Sequence, residues 1–290
     1  MKKQLFSEFL LVIYALIMGA TSIILKQVTQ ELNIYTFMAN RFLCAFMICV
    51  ILFGPRSRGK FSSNLVKHAA ITGIVTYAAH FYCTVGISVT PVGIAGFLTS
   101  LQTIVVPIIA FLVLKQHLET RTVLCVIGAF IGICLISIGN LEYSYGVWLC
   151  ILSSILAGIQ ILLIEFYVKR GDDGTALMII ELGTMAACAF LVALYTNSVK
   201  LPNNGFGWFS VLWTGIVSTA VATFIQNYAQ KYTTSVRTGL IFSTIPVFTL
   251  IGSRIFFHES FSLRAWIGAL ILLVSVICVE LRNNKKIKTE

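Results

Sequence analysis

Residues 76–121, TYAAHFYCTVGISVTPVGIAGFLTSLQTIVVPIIAFLVLKQHLETR, return 143 residues later as 219–264, TAVATFIQNYAQKYTTSVRTGLIFSTIPVFTLIGSRIFFHESFSLR. Thr76, Ala79, Phe81, Thr90, Gly96, Ser100, Ile108 and Arg121 meet Thr219, Ala222, Phe224, Thr233, Gly239, Ser243, Ile251 and Arg264. Eight identities in 46 positions are few. The polar breaks between apolar runs also return in the same order, which composition alone does not arrange. Each copy reads as an apolar helix, a short polar break, a second apolar helix interrupted by proline, and a basic loop.

Around this pair the chain is apolar throughout. With 58% hydrophobic and 11% charged residues over 290 positions, there is too little charge to cover a soluble domain of this size. A bilayer core about 30 Å thick needs about 20 apolar residues per helix. Ten segments qualify: 9–25, 34–53, 68–87, 91–114, 123–138, 146–168, 176–195, 208–229, 238–257 and 265–281. Barrel strands would be about 10 residues long and strictly alternating, and the run 104–114 does not alternate. The expected class is therefore an all-α integral membrane protein with ten transmembrane helices.

The repeat reaches the flanking helices. At an offset of 139, Gly19, Thr36 and Cys49 meet Gly158, Thr175 and Cys188. Five helices separate equivalent positions, and an odd number inverts the second copy in the membrane. Two inverted five-helix repeats follow, 1–140 and 141–290. Of the 21 Lys and Arg, sixteen fall on segments that are cytoplasmic if the amino terminus is, against Lys26, Lys200, Arg254 and Arg264 outside. On short loops this places both termini in the cytoplasm. The net charge of +10 is spread over those loops and forms no stripe, so nucleic acid is not an expected partner.

Several embedded polar residues are candidates for a site. Arg41 is about seven residues into the second helix, where an unpaired lipid-facing cation costs about 2.5–3.5 kcal/mol. It is expected to face the bundle interior, with outward snorkelling as the alternative. Tyr77, His80, Phe81 and Thr84 stand at i, i+3, i+4 and i+7 and share one side of the third helix. A histidine near mid-membrane is a ligand contact or proton carrier by default, or else simply bonded to a neighbouring helix. The fourth helix carries Thr99, Gln102 and Thr103 on one side and is expected to kink at Pro107; Pro246 follows Ser243 and Thr244 in the ninth. Proline-broken helices in corresponding spans point to a transporter's moving or binding elements.

Other groups admit plainer readings. Gly19 and Tyr14 suit close packing or a cavity wall, and Gly96 with Ser100 and Gly128 with Gly132 suit close helix approach. Glu165 is placed to pair with Lys169 at i, i+4. Glu181, a few residues into the seventh helix and toward its cytoplasmic end, is a candidate gate or site residue; it lies one position from the repeat equivalent of Arg41 but on the opposite membrane side, so the two are not expected to pair. Gln160, Gln226 and Asn227 suit either a cavity wall or hydrogen bonds between helices.

The eight cysteines all lie in apolar spans without a C-x-x-C or a histidine cluster, which supports packing roles and no metal or cofactor. H-E-x-x-H and G-x-S-x-G are absent, and Asp172 and Asp173 adjoin in one loop, so no intramembrane enzyme is expected. No ring of charge or repeated filter loop suggests a channel.

Ten helices in two inverted halves, Gly19, Arg41, the Gly96 and Gly239 pair, and Pro246 followed by Glu259 and Gly268 resemble the EamA-type exporters of the drug/metabolite transporter superfamily. The resemblance implies a plasma-membrane secondary transporter that exports an amino acid, another metabolite or a drug by alternating access. This chain departs from the pattern at Gln116, which stands opposite Glu259, and at Cys125, opposite Gly268. The small four-helix multidrug members rely on a carboxylate in the middle of their first helix, and neither the first nor the sixth helix here has one.

The reading is a carrier of a small metabolite such as an amino acid, with the lipid bilayer as its other partner and a proton as candidate coupling ion. Tyr77, His80, Phe81 and Gln102 are the expected substrate contacts, with Arg41, Gln160 and Asn227 behind them. Multidrug transport or uptake is the alternative within the fold, and a channel or membrane scaffold is the alternative class. Oligomeric state is left open.

Overall fold

The computed structural model describes residues 2–112, 120–137, 145–256, 258, 262–264, 266–268, 270–271 and 274–275. Among these, every regular element is a helix and there is no strand. Seven helices are long and apolar enough to cross a bilayer: Lys3–Glu31, Ile34–Ser57, Ser63–Val89, Tyr145–Lys169, Gly174–Tyr195, Gly205–Gln230 and Ser235–Phe256. Gln102–Leu112 and Val123–Gly132 are shorter apolar helices. Leu16, Ile51, Ile74, Phe111, Leu124, Trp148 and Leu191 are each more than half exposed. Apolar cover of that extent suits lipid rather than water. Most of the expected tenth span, together with Gln116, Glu259, the division at 140 and the basic residues from Arg282 onward, lies outside the described residues.

In chain order the helices are α1 (Lys2–Glu31), α2 (Ile34–Ser57), α3 (Ser63–Val89), α4 (Val92–Thr99), α5 (Gln102–Leu112), α6 (Thr120–Ser137), α7 (Tyr145–Lys169), α8 (Gly174–Tyr195), α9 (Gly205–Leu212), α10 (Ala222–Gln230), α11 (Ser235–Phe242) and α12 (Ile245–Phe256). A π-helical segment, Trp213–Val221, joins α9 to α10 within one continuous span.

Polar side chains mark the two ends of the bundle. At one end Lys60 meets Asp173 at 2.9 Å, His68 meets Asp172 at 2.7 Å and Arg237 meets Glu8 at 3.1 Å. The expected Lys169–Glu165 pair is also there, and the other Glu165 oxygen accepts the Ser235 amide at 2.7 Å, capping the start of α11. Asp173 caps α8 through the amides of Thr175 and Ala176. Burial alone would raise its carboxyl, but Lys60 and those two amides outweigh it and hold the group below its ordinary value. At the other end the Lys26 ammonium donates to the carbonyls of Ile87, Ser88 and Thr90, which closes the end of α3. Thr36 and Asn40 there donate to the Ser198 and Lys200 carbonyls. α1, α3 and α8 thus run one way, and α2, α7 and the 205–230 helix the other.

The expected fourth and ninth spans are broken, at repeat-equivalent residues. α4 gives way to α5 at Ser100 and Leu101, and α11 to α12 at Ser243 and Thr244. The expected interruption at Pro107 is therefore corrected to Ser100, and Pro107 lies inside α5. Hydroxyls cluster at both breaks and add a second donor to carbonyls there, as the Leu240 and Ile241 carbonyls also accept the Ser243 and Thr244 amides. Thr99 and Ser100 donate to the Gly96 carbonyl at 2.9 and 3.0 Å. Ser243 donates to Leu240 and Thr244 to Ile241, at 2.6 and 2.7 Å. Pro246 is the second residue of α12, where no helical amide is required, so it starts that helix instead of kinking it.

Close contacts around these breaks come in pairs that the repeat offsets interchange. A Cβ on Gly96 would lie 3.0 Å from Thr249, and one on Gly239 would lie 3.4 Å from Val106. A Cβ on Gly19 would lie 2.5 Å from Phe248, and one on Gly158 would lie 2.9 Å from Val105. Adding 143 to Val105 and Val106 gives Phe248 and Thr249.

The π-helical segment obeys the same relation through a one-residue insertion. Residues 72–75 and 214–217 are both TGIV, at an offset of 142, whereas Thr76 and Thr219 match at 143. The added residue is Ser218, and one inserted residue is what widens an α-helix into a π-bulge. Thr76 donates to the carbonyl four residues back, Thr72, at 2.7 Å. Thr219 donates to the carbonyl five back, Thr214, also at 2.7 Å.

Candidate functional site

A polar cavity of about 100 Å³ lies where these elements converge, with room for several waters or a small solute. Tyr14, Thr21 and Ser22 of α1, Arg41 of α2, Thr76, His80 and Cys83 of α3, Thr99 and Gln102 beside the first break, Ser153 and Gln160 of α7, and Ser218, Thr223 and Gln226 line it. Tyr14 stacks on Phe242 of α11 with ring centroids 4.2 Å apart, next to the second break. Gln226 donates to Gln160 across the wall at 3.0 Å.

Arg41 is fully buried, which disposes of the snorkelling alternative. Its Nε donates to Thr219 Oγ1 at 2.9 Å and its Nη2 reaches Ser218 Oγ at 3.4 Å, so the inserted residue of the π-bulge is one of its supports. Nη1 has no hydrogen-bond partner. None of the ion pairs among the described residues involves Arg41. A buried guanidinium with an unmet donor beside a cavity is the arrangement that an anionic group entering the cavity would complete.

Glu181 of α8 is the counterpart of Arg41. Arg41 stands eight residues after the α2 cap Asn33, and Glu181 eight after the α8 cap Asp173. A Cβ on Gly215 would meet the Arg41 carbonyl at 2.9 Å and Cys44; one on Gly73 would meet the Glu181 carbonyl at 2.7 Å and Thr184. The expected one-position mismatch between them is thereby corrected, because the offset in this span is 140. Glu181 is fully buried, and its Oε1 lies 2.8 Å from Thr76 Oγ1. Asn227 approaches its other oxygen at 3.5 Å. The two charges do not pair.

Of the residues expected to bind substrate, His80, Gln102, Arg41 and Gln160 line the cavity, whereas Tyr77, Phe81 and Asn227 do not. The face that α3 presents is Thr76, Ala79, His80 and Cys83, turned by one residue from the expected one. Aromatic packing causes the turn. Tyr77 meets Phe42 edge-on at 6.1 Å and Phe81 at 6.0 Å, and Phe81 stacks on Tyr35 at 6.1 Å, so both rings are taken up against α2. His80 meets Phe42 edge-on at 5.8 Å. Asn227 is occupied by Glu181 and the Thr223 carbonyl. Sequence reasoning missed the cavity roles of Thr76, Thr21 and Ser218. The signal for Thr76 was its match to Thr219.

An all-helical membrane bundle with paired broken helices around a central polar cavity has the architecture of a solute transporter. The chain belongs to the EamA-like transporter family, whose model matches residues 5–138 and again 144–281. It is 29% identical over 280 residues to an uncharacterized transporter of Archaeoglobus fulgidus, covering 97% of this chain and 87% of the relative. It is 24% identical to the uncharacterized transporter YyaM of Bacillus subtilis, covering 95% and 93%. A crystal structure shares the fold at a TM-score of 0.77 and 14% identity, with 96% of this chain and 98% of the other aligned.

Proposed function

We propose that this transporter is a secondary carrier exporting a small metabolite bearing a carboxylate, such as an amino acid, by alternating access. It is built from ten transmembrane helices in two inverted five-helix repeats, 1–140 and 141–290, and sits in the plasma membrane with both termini cytoplasmic. The observation that carries the substrate reading is the unmet Nη1 of the fully buried Arg41 beside the cavity. A guanidinium grips a carboxylate through parallel hydrogen bonds, and His80, Gln102 and Gln160 offer the remaining polar contacts. The interchanged glycine contacts at the two breaks support the inverted repeat, since a two-fold axis exchanges such pairs. Counterflow of a radiolabelled L-amino-acid mixture in proteoliposomes tests the reading. A carrier exchanges labelled for unlabelled solute, a channel only dissipates the gradient, and a scaffold does neither.

The topology is tested separately. A reporter fused after Glu290 should be active only in its cytoplasmic form, and single cysteines placed in the loop after Arg56 should resist impermeant thiol reagents added outside. Labelling there from outside would overturn the orientation.

His80→Ala should lower transport while leaving the yield of folded protein nearly unchanged, because the ring contributes an edge contact to Phe42 and otherwise faces the cavity. A drop in stability with unchanged turnover per folded molecule would reduce His80 to a packing residue.

A further inference from the structure

Thr76 Oγ1 lies 2.7 Å from the Thr72 carbonyl and 2.8 Å from Glu181 Oε1. A hydroxyl has one hydrogen, which Thr76 shares between two acceptors while Glu181 is ionised; a protonated Glu181 supplies the second hydrogen itself and completes both bonds. The repeat partner supplies the control. Thr219 Oγ1 also makes two contacts, giving its hydrogen to the Thr214 carbonyl and receiving one from Arg41 Nε, which is always a donor. Where one half of the molecule has a permanent donor, the other has an acid that can donate only while it holds a proton. A fully buried carboxyl with no cation paired to it among the described residues is where the neutral form is favoured.

We propose that Glu181 is a proton-binding site of the transport cycle, exchanging its proton with the cavity past the Thr76 hydroxyl. In the protonated state the Glu181 O–H donates to Thr76 Oγ1, and the Thr76 hydrogen points at the Thr72 carbonyl. When the proton leaves for cavity water, the Thr76 hydrogen swings to the Glu181 carboxylate. One hydroxyl rotation thus serves both states without moving a helix. Thr76 lines the cavity, whereas Glu181 stands behind it, so the proton and the solute have separate places. Around this carboxyl, α3 brings Thr76, α7 brings Gln160, α10 brings the neutral Asn227, and α1 brings Tyr14, which is within electrostatic reach of both Glu181 and Arg41. Arg41 remains the permanent charge of this set, so Glu181 sets whether the region is net positive or neutral. The inference rests on the carrier reading above.

Two measurements test it. Infrared difference spectra of the purified protein in phosphatidylethanolamine–phosphatidylglycerol nanodiscs, taken across a pH titration, should show a protonated-carboxyl C=O band that Glu181→Gln abolishes. Thr76→Val, which keeps the shape and removes the hydroxyl, should shift that band. A spectrum unaltered in both variants overturns the proton site, and Thr76→Val decides alone if Glu181→Gln does not fold. In proteoliposomes, each unit of imposed pH gradient should drive about tenfold accumulation of the labelled amino-acid mixture at one proton per solute. The sign of the accumulation gives the relative direction of proton and solute. Glu181→Gln should lose that accumulation while counterflow persists, and gradient-driven accumulation in this variant overturns the coupling. Absence of counterflow in the wild type would instead count against the carrier and substrate reading, with the infrared arm still deciding the proton site.

Discussion

Gly19→Ala is expected to destabilise the bundle by about 1–3 kcal/mol, the cost of overpacking a tight interior, and Gly158→Ala by distinctly less. The added Cβ at Gly19 would lie 2.5 Å from Phe248 Cβ, 3.1 Å from the Thr249 nitrogen and 3.2 Å from the Ile245 oxygen. Two of these atoms are backbone, so no rotamer change relieves them and α1 must move away from α12. At Gly158 the nearest neighbour, Val105 Cγ1 at 2.9 Å, can give way by rotation, and Val105 Cβ and Val106 Cγ2 at 3.3 and 3.5 Å need little shift. Positions that the repeat makes equivalent are therefore energetically unequal. Thermal unfolding of both variants in one detergent checks this, and equal midpoints, or a weaker Gly158→Ala, would refute the packing account. Because Tyr14 stacks on Phe242 between one and two turns from this crossing, the Gly19 variant should also transport less per folded molecule.

The architecture was legible wherever it depended on periodicity and on repeated small residues. Apolar length gave the seven long spans of the described residues, and Gly19, Gly96, Gly158 and Gly239 are places where helices touch, because a missing Cβ is a requirement that side-chain composition cannot disguise. The fourth and ninth spans show where legibility stopped. Proline suggested the interruption at Pro107, yet both breaks follow the hydroxyls at equivalent positions, and the prolines are not equivalent. A proline constrains its own amide, whereas the breaks fall where hydroxyls cluster, a signal read only from Ser100, Ser243 and their neighbours together.

Side-chain direction was less legible than helix placement. One residue along a helix turns a face by about a hundred degrees, so choosing Tyr77 and Phe81 over Thr76 and Cys83 was a choice that only the rings packed on α2 could settle. The π-bulge is the reverse case, since its signal was present in the sequence. The shared TGIV at 72 and 214 and the shared threonine after it differ in spacing by one residue, and that residue, Ser218, reaches Arg41. The fixed offset of 143 hid the insertion, and the offset of 139 left Arg41 and Glu181 one position out of register.

Arg41→Met is expected to leave folding intact or improve it while removing the preference for acids. The guanidinium is fully buried with no anion paired to it among the described residues, so its desolvation is offset only by Thr219 and the long contact to Ser218. Replacing such a buried charge with an apolar chain of similar volume is commonly neutral or stabilising. If the same charge binds the solute's carboxylate, its loss removes a charge-assisted hydrogen bond of about 1.5–3 kcal/mol. At about 1.4 kcal/mol per factor of ten, that is a fall of about ten- to a hundredfold in acid affinity. Competition against labelled solute by a series of acids and their amides reads this directly. Acids should compete far better than amides in the wild type and no better than amides in Arg41→Met. Arg41→Gln, which keeps donors but removes the charge, should fall between the two. A variant that unfolds would show that Arg41 holds the helices together through Thr219 and Ser218. Wild-type protein inhibited equally by acids, amides and quaternary amines would show that aromatic and apolar contact governs recognition, and a multidrug carrier would then replace the metabolite exporter.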